Sequence, residues 1–425
     1  MLSRHIAAAA FVGALLQVHT PAAAAQDTNP AVVLEWNQLA NATIPASAGP
    51  LGLRYYTIMH IAMFDAANSI ERRYTPFRTE VNASSGASPE AAVAQAAHDV
   101  LVALIPGDPP KAAYDAALNA RLAKLPPGRA AQGVAIGKAA ALRILQWRAN
   151  DGIFGPPIPY GLPALPGLWQ PAVPGAQPGL SQLPAATPFT MESITQFLVP
   201  RFPELTSARY ATDFNEVKQI GAVNSQTRTA TQTQTAQLFA GVNTSTNVFV
   251  IWNNVARDVT LAGHLSLIES ARLYAFLNAS MMDSLLSTQT GKFIYGLWRP
   301  ITGIRNADDD LNAATIEDGT WAPLLTTPPY PSYPGNMAGI GSCASKALAM
   351  GLGTDTFSFS ATWVGLNANP NVTRQYSSFS QLAQEEADSR IYGGIHYRFD
   401  NEASQSACTR LVQHAYASLM LPRQS

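Results

Sequence analysis

Residues 389–400 read Ser-Arg-Ile-Tyr-Gly-Gly-Ile-His-Tyr-Arg-Phe-Asp. His396 and Asp400 stand four positions apart, so on a helix the carboxylate reaches one imidazole nitrogen, fixes its tautomer and raises the basicity of the other. A histidine held in that way is prepared as a nucleophile or a metal ligand. Arg390 precedes it by six positions and brings a planar, permanently charged fork to the same segment.

Two earlier segments carry matching chemistry. In Lys292-Phe-Ile-Tyr-Gly-Leu-Trp-Arg299-Pro300 the two cations are seven residues apart, roughly two helical turns, so both project to one side if the segment is helical. Taken alone, this is also how a helix end offsets its own dipole. In Pro331-Ser-Tyr-Pro-Gly335-Asn336-Met337 a stiff turn leads into a helical pattern that runs to Met350 and stops at Gly351. Asn336 suits the N-cap, and Gly335 lets a ligand approach the free N–H groups of the helix start, a natural anion site.

Composition sets the frame for these segments. The chain has 425 residues, 47% of them hydrophobic, enough for a substantial core. With 27 basic and 28 acidic side chains the net charge is -1, so no overall field favours nucleic acid or anionic lipid, and a bound anion must be held by a local cluster. Residues 1–25 have a basic start at Arg4 and His5, an apolar stretch from Ala7 to Val18 and the small-residue run Ala22 to Ala25. That is the pattern of a secretory signal cut after Ala25, which predicts a secreted or periplasmic protein. The mature chain, 26–425, contains no apolar run of about 18 residues and so no expected transmembrane segment. Cys343 and Cys408 are free to pair in an oxidising compartment, although their spacing leaves the pairing open.

Helical periodicity dominates the remainder. Helices are expected near Ala31–Leu39, Leu53–Asn68, from Ser88 to about Ile105, Pro110–Leu125, Gly128–Asn150, Ala208–Val223, Thr227–Ala240 and Val248–Val255, with a longer one from Thr260 to Ser287. Strand-like alternation is rare. The expected organisation is one helical domain: N-terminal helices over 26–150, a Pro/Gly-rich loop over 151–188 packed by its own side chains, Trp169 among them, and a half bearing the charged segments over 189–425. The scattered histidines His60, His98, His264 and His414 have no zinc-site spacing, and no Walker or dinucleotide fingerprint follows a strand.

Lys-x6-Arg-Pro, a Pro-rich turn and Ser-Arg-x5-His-x3-Asp, in this order, resemble the signature of the vanadium-dependent haloperoxidases and the related type 2 phosphatidic acid phosphatases. The resemblance is strongest from Thr260 to Asp400, with weaker likeness around His60 and in the Pro-rich loop. It implies an all-α helical bundle of the haloperoxidase type. It further implies that Lys292, Arg299 and Arg390, with Gly335 and Asn336, hold the oxygens of vanadate or, alternatively, phosphate. By the same resemblance His396 is the axial ligand to vanadium or the nucleophile towards phosphorus, Asp400 supports it, and Lys292 polarises bound peroxide. The partners would be hydrogen peroxide and a halide, or a phosphate ester. An oligomer stays open.

The sequence departs from that signature in its middle segment. Where the family has Pro-Ser-Gly-His, this chain has Pro334, Gly335, Asn336 and Met337, and a thioether cannot exchange protons. Three readings follow: another proton donor, with Asp388, Glu386, His60 and His98 as candidates; chemistry that needs less proton transfer, such as bromide or iodide oxidation; or binding of an oxyanion without turnover.

Overall fold

The structure, a computed structural model, describes residues 29–171 and 177–424. The segment read as a secretory signal lies outside the described residues. The N-terminal helices are α1 (Ala31–Thr43), α2 (Gly52–Glu71), α3 (Pro89–Leu104), α4 (Pro110–Leu122) and α5 (Pro127–Arg148). After the Pro/Gly-rich loop come α6 (Ala208–Ile220), α7 (Ala230–Phe239), α8 (Val248–Ala262), α9 (Leu267–Tyr295), α10 (Pro300–Arg305) and α11 (Asn336–Leu352). A hairpin of β1 (Thr356–Trp363) and β2 (Val372–Ser378) leads to α12 (Phe379–Tyr392) and α13 (Arg398–Ser418). The expected all-α bundle is the architecture found, with this one antiparallel hairpin added.

Helix starts follow the local chemistry. Ser88 accepts from the Ala91 N–H with Pro89 in the first helical position, and Ser266 and Glu269 form a reciprocal capping box on α9. That box also corrects the reading of one helix from Thr260: α8 ends at Ala262 and α9 starts afresh at Leu267. Nearly every residue of α9 from Leu267 to Lys292 is buried, and it packs on α2 and α1 on one side and on α11 and α13 on the other. Among its interior polar groups, Asp283 accepts the Phe189 and Thr190 N–H groups at 2.8 and 2.6 Å.

The hairpin escapes sequence periodicity because apolar residues alternate regularly only in β1. Phe359, Ala361 and Trp363 face inward, Trp363 meeting Phe239 edge to face at 5.2 Å, whereas the partner strand Val372–Ser378 has a single buried residue, Tyr376. Cys343 on α11 and Cys408 on α13 are joined by a disulfide with Cα atoms 4.9 Å apart. No helix among the described residues is long and apolar enough to cross a membrane.

Candidate oxyanion site

The eight residues from Lys292 to Arg299 do not form one helix. The α9 helix ends at Tyr295, and Gly296 takes a left-handed conformation (φ 64°). Arg299 then lies in extended backbone as the N-cap of α10, with Pro300 in the first helical position. The turn, not helical periodicity, aims both cations inward, where Lys292 is fully buried and Arg299 nearly so.

The Pro/Gly-rich loop holds this turn in place. The Trp169 N–H donates to Gly296 O at 2.7 Å, the Trp298 N–H donates to Gly167 O at 3.0 Å, and Tyr160 packs edge to face on both Trp169 and Phe293. A Cβ on Gly296 would come within 2.2 Å of Leu162, so glycine is required there twice over, for its φ and for its space. The loop thus covers the segment between the two cations.

Ser332 ties the three segments together. Its N–H donates to Leu297 O at 2.8 Å, its carbonyl accepts from Lys292 Nζ at 2.5 Å, and its hydroxyl donates to Asp400 Oδ2 at 2.6 Å. Asp400 Oδ2 also accepts from His396 Nδ1 at 2.8 Å and from the Tyr397 N–H at 3.2 Å. His396 itself lies ahead of α13, and Asp400 in that helix's first turn, so the expected pair forms across a helix start and not along a helix.

With Nδ1–H committed to Asp400, the imidazole presents the Nε2 lone pair, which faces Arg299 Nη1 at 3.0 Å. Burial and the charges of Arg299, Lys292 and Arg390 hold the His396 pKa well below its ordinary value, so the ring is neutral. Burial and Arg299 likewise push Lys292 well down, against the pull of Asp400. Arg299 is lowered to about 10 by burial, and Asp400 is raised to about 6 by burial against the Ser332 hydroxyl and the two cations.

Arg299 is positioned by bonds to Tyr330 O at 2.7 Å and Ile395 O at 2.8 Å, and the Tyr330 ring lies 5.0 Å from its guanidinium and 5.4 Å from Lys292 Nζ. Arg390, in the last turn of α12, makes no side-chain hydrogen bond or ion pair among the described residues. Arg299 Nη2 and Arg390 Nη1 are both buried without a partner. Buried guanidinium donors left unpaired are costly, and a multiply charged oxyanion is the ligand that satisfies several at once.

The middle segment differs in detail from its reading. The N-cap of α11 is Gly335, whose N–H is engaged by Asp400 O at 2.9 Å instead of standing free. Asn336 is the first helical residue, and its amide donates to Gln289 Oε1 at 2.9 Å while its own Oδ1 is buried and unpartnered. Met337 is half-buried, packs on the main core and borders a cavity of about 350 Å³ with Phe239 and Phe249.

Of the four donor candidates, three are committed elsewhere. Asp388 pairs with Arg398 at 3.0 Å, His98 sits between Asp99 and Asp115, and His60 lies in a cluster of amides on α1, α8 and α9. Glu386 stands on α12 one turn before Arg390, on the same helix as Asp388 but without an ion pair of its own among the described residues. Sequence reading overlooked Ser332 and Tyr330, and the hydroxyl set between Pro331 and Pro334 was the available signal.

A helical bundle that buries three cations beside a carboxylate-oriented neutral histidine belongs to the class of architectures that can hold an oxyanion. Comparison with known proteins narrows the class. Residues 272–424 match the family described as the VCPO second helical-bundle domain. A bacterial vanadium-dependent iodoperoxidase superposes with a TM-score of 0.78 at 22% identity, covering 94% of this chain and 99% of that one. A bacterial vanadium-dependent chloroperoxidase in its holo form gives 0.71 at 15% identity, over 92% and 97% of the two chains, and in its apo form 0.68 at 16%, over 87% and 92%. No curated protein sequence matches the chain. Residues 272–424 thus match that family description, and the chain shares the helical-bundle fold of these vanadium-dependent haloperoxidases.

Proposed function

We propose that this protein binds vanadate between Lys292, Arg299, Arg390 and His396 and oxidises halide with hydrogen peroxide, in an exported form. One observation carries the reading: unpartnered guanidinium donors of Arg299 and Arg390 are buried around a neutral imidazole whose tautomer Asp400 fixes. That donor set fits vanadate. The arginines and Lys292 would hold its oxygens and His396 Nε2 its vanadium, with Asn336 next to them at the helix start. Bound vanadate would supply a Lewis-acidic centre for peroxide activation.

The residues divide that work. Asp400, itself anchored by Ser332, keeps the proton on Nδ1 so that Nε2 stays a lone-pair donor. Arg299 is fixed by two carbonyls and leaves Nη2 for the anion, while Arg390 is held by burial alone and adapts to it. Export is supported by the leader pattern of residues 1–25 and by the Cys343–Cys408 disulfide. Hydrolysis of phosphate esters is less favoured, since expelling an alkoxide needs a proton donor and Met337 has none.

Calorimetry with vanadate, followed by bromide and iodide oxidation and by phosphate-ester hydrolysis on the same sample, tests the proposal. Tight binding abolished by His396→Ala, with halide oxidation, is the expected result. Binding without any turnover would reduce the protein to an oxyanion carrier, and vanadate binding unchanged in His396→Ala, Arg299→Ala and Arg390→Ala would remove the site.

A further inference from the structure

We propose that Glu386 is the proton reservoir of the oxyanion site: a buried carboxyl, one helical turn behind Arg390, that takes up a proton when an oxyanion binds. The inference rests on the oxyanion reading and adds a residue and a charge balance to it.

The placement follows from helix directions. Asn401 and Gln405 of α13 bond Ala387 and Gln384 of α12 in reversed order, so these helices run antiparallel. The Cys343–Cys408 bridge and the approach of Gly335 to Asn401 and of Gly339 to Ser404 make α11 parallel to α13. Hence α12 runs antiparallel to α11. Glu386 meets α11 at Gly341, where a Cβ would come within 2.3 Å of Oε2, and Arg390, one turn on, lies towards Met337, one turn back. The carboxyl therefore stands on the side of the site where α11 offers no ionisable group.

Glu386 is fully buried. Its Oε2 accepts from Trp252 Nε1 at 2.9 Å, and its Oε1 has no partner. The charged and titratable groups around it are few: Arg390 on its own helix, Tyr376 on β2 and, beyond Arg390, the site itself, while α8 contributes the neutral Trp252 and α11 contributes Gly341 and Met337. Its neighbour Glu385 is committed to Arg374, Thr235 and Tyr376. Burial pushes the Glu386 carboxyl up to about 8, with Trp252 and Arg390 pulling it back.

An anion settling on Arg390 neutralises the one cation that favours ionised Glu386, so bound anion and carboxylate cannot comfortably coexist. Where the carboxyl is ionised in the anion-free protein, above about pH 8, Glu386 therefore binds a proton as the anion enters and releases it as the anion leaves. The sign is definite. Below pH 8 the carboxyl is already protonated and costs binding nothing, and above pH 8 each binding event must first protonate it.

Calorimetric titration with tungstate, an oxyanion that does not itself titrate in this range, tests this on the full-length protein and on Glu386→Gln, which keeps the Trp252 bond. The expected result is equal affinity at about pH 7 and up to about tenfold tighter binding by the variant at about pH 9, with less proton uptake. Parallel affinity profiles, or a variant weaker by the same factor at both pH values, would overturn the proposal while leaving the oxyanion site intact. No tungstate binding by either protein would overturn both.

Discussion

The amides around His60 and the cations around His396 are both buried polar clusters, and they meet the cost of desolvation in opposite ways. Around His60 the partners are neutral and nearly closed on themselves. Asn253 and Asn278 exchange two hydrogen bonds at 3.1 Å, and Asn37 donates to Asn253 at 2.7 Å and to His60 Nε2 at 3.0 Å. Only His60 Nδ1 is left over. Around His396 three like charges converge with guanidinium nitrogens unpaired. A closed neutral cluster fixes helix register, whereas an open charged one is a structure waiting for a counter-charge.

The largest effect that would sharpen this comparison comes from Met337, the place where the charged cluster lacks an acid. If proton transfer limits turnover, Met337→His should raise bromide oxidation by about 10²- to 10⁴-fold. Steady-state assays on vanadate-loaded parent and variant decide it, and an unchanged rate in a variant that still binds vanadate would place the limit elsewhere.

Substitutions within each cluster should separate stability from binding. Asn278→Ala removes both side-chain bonds to Asn253 and opens a cavity between α9 and α8, so it should lower unfolding free energy by about 2–4 kcal/mol while leaving vanadate affinity unchanged. Arg390→Met should do the reverse. With no hydrogen bond to lose and one repelling charge removed, the anion-free protein should melt at the same or a higher temperature, while vanadate affinity falls about 10- to 100-fold. Denaturant unfolding, thermal melts and calorimetry measure both pairs. A destabilised Arg390→Met protein would show that the charged cluster is structural after all.

The same contrast explains what the sequence revealed. Lys292, Arg299, Arg390, His396 and Asp400 were legible because buried charge is rare and their chemistry is carried by residue identity. Their geometry was not. The periodicity between Lys292 and Arg299 suggested a helix, but Gly296 in a left-handed turn, clamped by Trp169 and Leu162 some 130 residues earlier, sets the real arrangement. Contacts of that kind leave no local signal. Ser332 was overlooked for a related reason, since a serine in a Pro-rich turn looks like ordinary turn chemistry until Asp400 and Lys292 are brought to it by other elements. The helices of the N-terminal half, by contrast, were readable to within a few residues because their caps, such as Ser88 with Pro89, are local.

The smallest effect is also the most discriminating. Burial lowers the His60 pKa to about 3, and burial together with Arg299, Lys292 and Arg390 lowers that of His396. In both cases the unfolded chain takes up a proton near pH 6.5 that the folded protein refuses, so their stability contribution is complete above that value and is lost as the pH falls towards the folded pKa. Each histidine should thus steepen the decline by about 1 kcal/mol per pH unit below pH 6.5. The causes differ, however, and so should the remedies. An oxyanion cancels the three cations facing His396 and restores its proton affinity, but no cation contributes at His60. Saturating phosphate should therefore flatten one part of the slope of stability against pH, and His60→Gln another part that phosphate leaves untouched. Phosphate that raises the melting temperature equally at pH 6 and pH 5, leaving the slope untouched, would mean that the charges around His396 are not what keeps it neutral.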